Sequence, residues 1–336
     1  MAGGGLGSFR LPILGRYFMR IIVAAILAAA ACAVHAQAYP AKPIRLLVPF
    51  APGGSSSIIA RAFSTEMSLG LGQQFVVENK PGGGGNIAME EAARAEPDGY
   101  TLIIGHIGTF AVNPFMFAKL PFDTNRDFRA VSLFAKVPQI YVVHESVPAK
   151  DLREFIALAK KDPGKLYYGS AGNGSAGHLA VEYLKMVSGM DIQHVPYKGT
   201  GPNLLDLVAG RTQFSAAGTP PFMPHVRSGK LRVVAVGESK RLAILPDVKT
   251  VAEQGYPGYE TSQWYGLNAP AKTPDAIVNR LAAEAAKAAK SPAVRKQLEP
   301  DAAEPVGSTP QEYAAYIASE QARWKEVVQK AHIKAD

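Results

Sequence analysis

The chain has 336 residues, enough for about two domains. It is 47% hydrophobic and 19% charged, a composition that fills a core, and its formal charge of +8 becomes +5 once Arg10, Arg16 and Arg20 near the N-terminus are set aside. The remaining bases are scattered, with no basic stripe and no basic–aromatic interleaving. That argues against a nucleic-acid partner and leaves a weak positive field suited to a small acidic ligand.

Arg16 and Arg20 precede an apolar run over residues 21–34, followed by "VHAQ" with Val34 and Ala36 at the −3 and −1 positions. A run of about 14 residues is short of the roughly 20 that a membrane span needs. Residues 1–36 are therefore expected to be an export signal cleaved after Ala36, which places the product in the periplasm. The rival is a lipid anchor on Cys32, whose preceding "AAA" lacks the usual leucine. Cys32 is the single cysteine, so a chain starting at Gln37 has neither disulfides nor thiol chemistry.

Strand and helix signals then alternate. Residues 43–50 read as a strand and 57–69 as a helix, with Ile58, Ile59, Ala62 and Phe63 on one face and Gly70 and Gly72 as stops. Residues 73–79 are a strand, "PGGGG" a loop into a short helix ending near Arg94, and 100–105 a buried strand. The aromatic-rich residues 111–122 read as core. Past Pro138, strands are expected at 139–144, 165–170, 192–197, 211–217 and 230–237. Helices are expected at 149–160, 178–187, 203–209 and near 221–227. The C-terminus is helical, with Thr273 as a cap before Pro274, and Thr309 and Glu312 in capping-box spacing. The alternation predicts an α/β protein with mostly parallel sheets flanked by helices, in two lobes. The C-terminal helices are expected on the first lobe.

Three glycine- and serine-rich corners carry the chemistry. "LLVPFAPGGSSSIIARAF" runs strand, Pro-Gly-Gly turn, three serines, helix. A helix start offers unpaired N–H groups and partial positive charge, which suits an anion. "YGSAGNGSAGHLA" and "VPYKGTGPN" repeat the design farther along. Ligands of open α/β sheets sit beyond the carboxyl ends of strands, where such corners converge. The same corners also fit plain capped helices. The G-K-[ST] ending of a phosphate loop is absent. "GGGNIA" at Gly83, Gly85 and Ala88 is a weak dinucleotide fingerprint, with no acid closing a strand some twenty residues on. "NGSAG" around Ser175 resembles a nucleophile elbow but has Asn173 where glycine is wanted; His194 or His225 would have to serve as its base. His178 and Glu182 share a helix face without other metal-ligand spacing.

Taken together, "YPAKPIRLLVPFAPGG", "VVENKPGGGGNIAMEEAARAEPDGYTLIIG", "KLYYGSAGNGSAGHLAVEYL", "HVPYKGTGPNLLDLVAG", "LPDVKTVAEQGYPGYE" and "WYGLNAPAKTP" resemble, in order, the extracytoplasmic receptors of tripartite tricarboxylate transporters, the Bug or TctC-like family. The resemblance implies a type II periplasmic-binding clamshell, with residues 37–138 plus 258–336 as one lobe and 139–257 as the other. It implies capture of a small carboxylate for membrane permease subunits, by a monomer, without catalysis, cofactor or metal. The family's first loop maps to residues 50–57: Phe50, Ala51, Gly53 and Gly54, then Ser55, Ser56 and Ser57, serving one carboxylate. Ser170, Gly174, Ser175 and Thr200 would donate from the other lobe, beside Tyr197 and Gly199 of the "PYKG" corner. Gly108 and Thr109, in the loop over 106–109, would line the hinge side, and Trp264 would pack near the hinge or in the core. Ser57 stands where the family pattern has an aspartate, so a site more positive than usual is expected, with altered ligand choice. Rival readings are an exported hydrolase acting through Ser175 and a ligand-binding sensor partner without a transport role.

Overall fold

Residues Ile44–Val48 form β1, and the chain then turns through Pro52 and Gly53 into helix α1, Ser55–Leu71. The computed structural model describes Met1 and residues 39–330. The expected export signal, its cleavage point at Ala36 and Cys32 lie outside the described residues.

Helix α1 forms because Ile59, Phe63 and Met67 recur at its inner face, all fully buried. Each contributes about 1.5–3 kcal/mol of burial. Phe63 stacks on Phe134 with ring centroids 4.2 Å apart. The helix runs on through Gly70 and ends at Gly72, whose φ of 68° and N–H bond to the Ser68 carbonyl make the left-handed cap. Gly70 is no stop. A Cβ there would lie 2.0 Å from a Glu284 carboxylate oxygen, so its bareness admits the neighbouring helix.

The rest of the first half is β2 (Phe75–Asn79), α2 (Asn86–Ala93), β3 (Thr101–His106), a π-helical segment over Ile107–Val112, and α3 (Asn113–Met116). Strand β4 (Phe128–His144) is 17 residues long. Then follow α4 (Leu152–Lys161), β5 (Tyr167–Ser170), α5 (Ala176–Ser188), β6 (Gln193–Pro196) and α6 (Thr200–Val208). The second half continues with β7 (Phe214–Gly218), α7 (Thr219–Arg227) and β8 (Leu231–Val236). The chain ends in β9 (Ser262–Pro270), α8 (Asp275–Lys290), α9 (Pro292–Leu298), β10 (Glu304–Pro305) and α10 (Pro310–Lys330).

The strands form one mixed sheet in the order β2-β1-β3-β9-β4-β7-β5-β6, with β8 and β10 also on β4. Pairing is parallel among β2, β1 and β3 and among β6, β5 and β7. Between these groups β9 and β4 run antiparallel to their neighbours. Strand β4 pairs with β9 as far as Pro138, and with β7 and β8 from Gln139 onward. Strand β9, the first part of β4 and α9 were not expected from the sequence. Strand β9 is buried on both faces, so it carries no alternation to detect.

Among the described residues there are three apolar clusters. One holds Leu47, Ile103 and Phe110 with Tyr313 and Trp324 of α10. The others lie on opposite faces of the second half: Phe155, Leu184 and Phe214 on one, Leu207, Phe222 and Val236 on the other. Ala111, Val112, Met116 and Phe122 join the first cluster, as the core reading of 111–122 anticipates. Trp264 is fully buried there, and its indole N–H donates to Glu320 at 3.1 Å. The capping box at Thr309 and Glu312 forms in both directions. Thr273 does not cap α8: its hydroxyl donates to the Pro270 carbonyl at 2.8 Å, and Pro274 occupies the cap position.

Candidate functional site

Three helices begin as helices usually do. Asp151 caps α4, with Glu154 in its first turn; Ser291 caps α9; α10 has its capping box. Helices α2 and α7 instead follow Gly85 and Gly218, with no side-chain cap among the described residues and no acid in the first turn. Helices α1 and α6 begin in the same way, after Gly54 and Gly199. Their leading N–H groups are thus left to a ligand or water. Helix α5 starts beside them, its Ser175 hydroxyl accepting from the His178 N–H at 3.4 Å.

These three starts meet at a cavity of about 20 Å³, room for about one water. Ser56 of α1, Ser175 and Ala176 at the start of α5, and Thr200 and Asn203 of α6 line it. Phe50, His106, Gln263 and Tyr265 complete the walls. No Lys, Arg, Asp or Glu lines it among the described residues. The helix starts supply partial positive charge there through their backbone dipoles. A second, outer cavity of about 280 Å³ shares Phe50 and Ala171 with it as a common wall.

His106 is 3% exposed, set edge-on to Phe50 at 5.0 Å and against Tyr265 at 5.4 Å. Its Nδ1 accepts from the Gly108 N–H at 2.9 Å. Burial holds its pKa down at about 3, so the ring is neutral and its hydrogen sits on Nε2. Tyr265 donates to the Gln263 side-chain carbonyl, and burial pushes its phenol well above the ordinary range.

The loops of the two halves touch. The Ala51 N–H donates to the Lys198 carbonyl at 2.9 Å. Gly53, with φ of 88°, would put a Cβ 3.3 Å from the Gly201 Cα, and a Cβ on Gly54 would lie 3.0 Å from that of Thr200. A Cβ on Gly108 would fall 2.2 Å from the Gly174 carbonyl oxygen, and one on Gly199 2.7 Å from the Ala51 nitrogen. These glycines allow backbone to meet backbone across the cleft.

The family model described as tripartite tricarboxylate transporter family receptor (TctC) matches residues 59–333. The chain belongs to this TctC family. The family is one of periplasmic solute-binding receptors rather than enzymes. BugT of Bordetella pertussis is 35% identical over 305 residues, spanning 90% of this chain and 94% of BugT. Rpa4515 of R. palustris, solved with adipate, is 37% identical with a TM-score of 0.85, covering 88% of this chain and 99% of that one. MatC (Rpa3494) from Rhodopseudomonas palustris, solved with bound malate, is 34% identical with a TM-score of 0.83, covering 86% and 100%.

Of the residues that the TctC resemblance marks, Phe50, Ser56, Ser175 and Thr200 line the inner cavity, and Phe50 and Tyr197 the outer one. Ala51, Gly53, Gly54, Gly108, Gly174 and Gly199 form the seam between loops. Ser55 packs against Gly218. Ser57 is turned away: its hydroxyl accepts from Asn79 Nδ2 at 2.8 Å, and the same amide donates to the Phe50 carbonyl at 2.7 Å. The Thr109 hydroxyl donates to the His106 carbonyl at 3.1 Å, which shapes the loop rather than the cavity. The Ser170 hydroxyl lies 2.7 Å from His194 Nε2. His194 therefore serves Ser170, itself fully buried, rather than Ser175. Glu182, on the same helix face as His178, accepts from Tyr168 and pairs with Lys185. No group of three His, Cys, Asp or Glu among the described residues is placed to hold a metal. His106 lies in the loop over 106–109 that the resemblance marks, though sequence reasoning singled out only Gly108 and Thr109 there; Asn203, Gln263 and Tyr265 are polar cavity residues that it missed. Gln263 and Tyr265 stand at i and i+2 of β9, so one recognised strand would have paired them on one face.

Proposed function

We propose that this chain is an exported receptor that closes around a small organic acid and presents it to the membrane permease subunits of a tripartite transporter. One observation carries the reading: helices α1 and α6 start after glycine, uncapped and without acid, at a buried cavity that no charged side chain lines. Unpaired N–H groups, serine and threonine hydroxyls and the His106 Nε2–H are donors for a carboxylate. Each charge-assisted bond contributes about 1.5–3 kcal/mol. Three or four therefore account for the roughly 8 kcal/mol of a micromolar ligand. Relatives solved with adipate and malate support the carboxylate class.

The lobes would be residues 37–138 plus 258–336 and residues 139–257, working as a monomer. Open and closed forms exchange, and the acid favours the closed one by touching both lobes at once. No helix of the described residues is long and apolar enough to cross a membrane, which fits an exported receptor. The test is a thermal-shift screen of ligand-free protein from Gln37 onward against a panel of carboxylates. A ligand at a hundred times its Kd raises Tm by about 5 °C. A panel in which no acid moves Tm would count against the reading.

A further inference from the structure

The loop over 171–175 carries part of the second half's share of the site. Ala171 walls both cavities and Ser175 the inner one. The Gly174 carbonyl is the oxygen that a Cβ on Gly108 would strike, and the Asn173 carbonyl would stand 2.6 Å from a Cβ on Gly84. Yet the loop is loose by composition. Gly172 and Gly174 have φ of 112° and 75°, and glycine loses more freedom on ordering than any other residue. Fixing it takes contacts from behind.

Two imidazoles stand there. The Gly172 N–H donates to Ser170 Oγ at 3.0 Å, and that hydroxyl lies 2.7 Å from His194 Nε2. The Gly174 N–H donates to His178 Nδ1 at 3.3 Å. The two imidazole rings are 4.5 Å apart. His194 also stacks on Tyr168 at 4.7 Å, and the Tyr168 hydroxyl donates to Glu182 at 2.6 Å. Tyr168, His194 and His178 thus form one column of rings. Both loop amides are bonded to it, one directly and one through Ser170. Neither histidine is among the described residues that line the two cavities.

We propose that His178 and His194 are positioning residues for the ligand site: they hold the loop over 171–175 in its binding shape before a ligand arrives and touch no ligand themselves. The inference rests on the receptor reading above and deepens it. A loop ordered in advance spares the ligand the cost of ordering it. The bonds do the holding, because Gly172 and Gly174 have no side chains to pack. Each bond shifts the balance between ordered and open loop about fivefold, the worth of one neutral hydrogen bond.

The first test is amide hydrogen exchange of the ligand-free protein, read by NMR at Gly172 and Gly174. His194→Phe keeps a ring against Tyr168 and removes the bond to Ser170, so exchange at Gly172 should quicken about fivefold. His178→Phe should do the same at Gly174. His194→Gln and His178→Asn place an amide where Nε2 and Nδ1 stand. Each should restore most of the protection, which a role in packing alone would not allow. In a Ser170→Ala background His194→Phe should add nothing, and helix α8 should exchange as in the wild type throughout. The second test is calorimetric titration with malate and adipate. Whichever of them the wild type binds should bind the variant carrying both His178→Phe and His194→Phe at least about fivefold more weakly. Unchanged protection at both glycines in the Phe variants overturns the proposal, as does an equal loss of protection in α8. So do Gln and Asn variants no better than the Phe variants, or a double variant that binds as tightly as the wild type. If neither acid binds the wild type, exchange alone decides this inference, and the wider carboxylate panel decides the receptor reading.

Discussion

The backbone N–H of Gly108 donates to Nδ1 of His106 at 2.9 Å, and this bond settles which imidazole nitrogen carries hydrogen. With the pKa held at about 3 by burial, His106 stays a neutral Nε2–H donor at the wall of the inner cavity. His106→Phe, which keeps the ring and removes the donor, should weaken ligand binding about tenfold, the value of one bond to a charged group. His106→Gln, which keeps an N–H, should recover part of that loss. Titrations at pH 5.5 and 8 should give the same His106-dependent difference. A difference that grows toward low pH would mean the ring is protonated in use.

Stability should respond to pH through two opposing sets of groups. His106 and His194 are held neutral at about 3, the second by burial and then by His178 and Lys185. Their contribution is present above about 6.5 and is lost as pH falls, by about 1.4 kcal/mol per pH unit for each ring. Glu238 is opposite in sign: burial, then Glu260, raises its carboxyl to about 7. Its contribution is present below about 4.5 and is lost as pH rises through 7. Glu238→Gln should therefore stabilise the protein by about 2 kcal/mol at pH 8 and by nothing at pH 4.5. Urea unfolding at the two pH values measures this, and an equal gain at both would rule it out.

Gly108→Ala should block the close approach of the two loops, because the new Cβ would fall 2.2 Å from the Gly174 carbonyl oxygen. Ligand affinity should drop at least about fivefold, since overpacking costs about 1–3 kcal/mol and here falls on the closed form. Small-angle scattering should show no compaction on adding ligand. Unchanged affinity would mean that this seam plays no part in closing.

Ser57→Asp introduces an acid into the first turn of α1, within reach of the Asn79 amide that now serves the Ser57 hydroxyl. The added charge occupies the field that attracts an anion, so affinity for acids should fall by about 0.3–1 kcal/mol at low salt. Doubly charged acids should lose more than singly charged ones, and added salt should shrink the effect. An identical ligand profile for the two proteins would dismiss any role for this position in ligand choice.

The alternation of strand and helix, the three glycine–serine corners and the C-terminal helices were legible because each is a local pattern: a period, a cap or a turn. Strand β9 was not legible, because Trp264 and Leu267 are buried along with Tyr265 and Ala269 and no face alternates. With β9 missing, Gln263 and Tyr265 could not be placed at the cavity. The role of the glycines was half legible. A Gly-Gly corner signals close approach, but whether a ligand or another backbone approaches is a matter of tertiary distance. Here Thr200 and Gly201 meet Gly54 and Gly53. Ser57 shows the same limit: a hydroxyl at a helix start points at a ligand or at a neighbour, and Asn79, 22 residues on in the chain, decides it.

The uncapped helix starts have a consequence for descent. A donor that belongs to the peptide backbone survives nearly any side-chain substitution, so the anchor for an anion is hard to lose by point mutation. The cavity-lining side chains around it, such as His106, Phe117 and Lys198, are free to change one residue at a time. Side chains can then diverge, as they have at 35% identity to BugT, without removing a donor that every residue but proline carries.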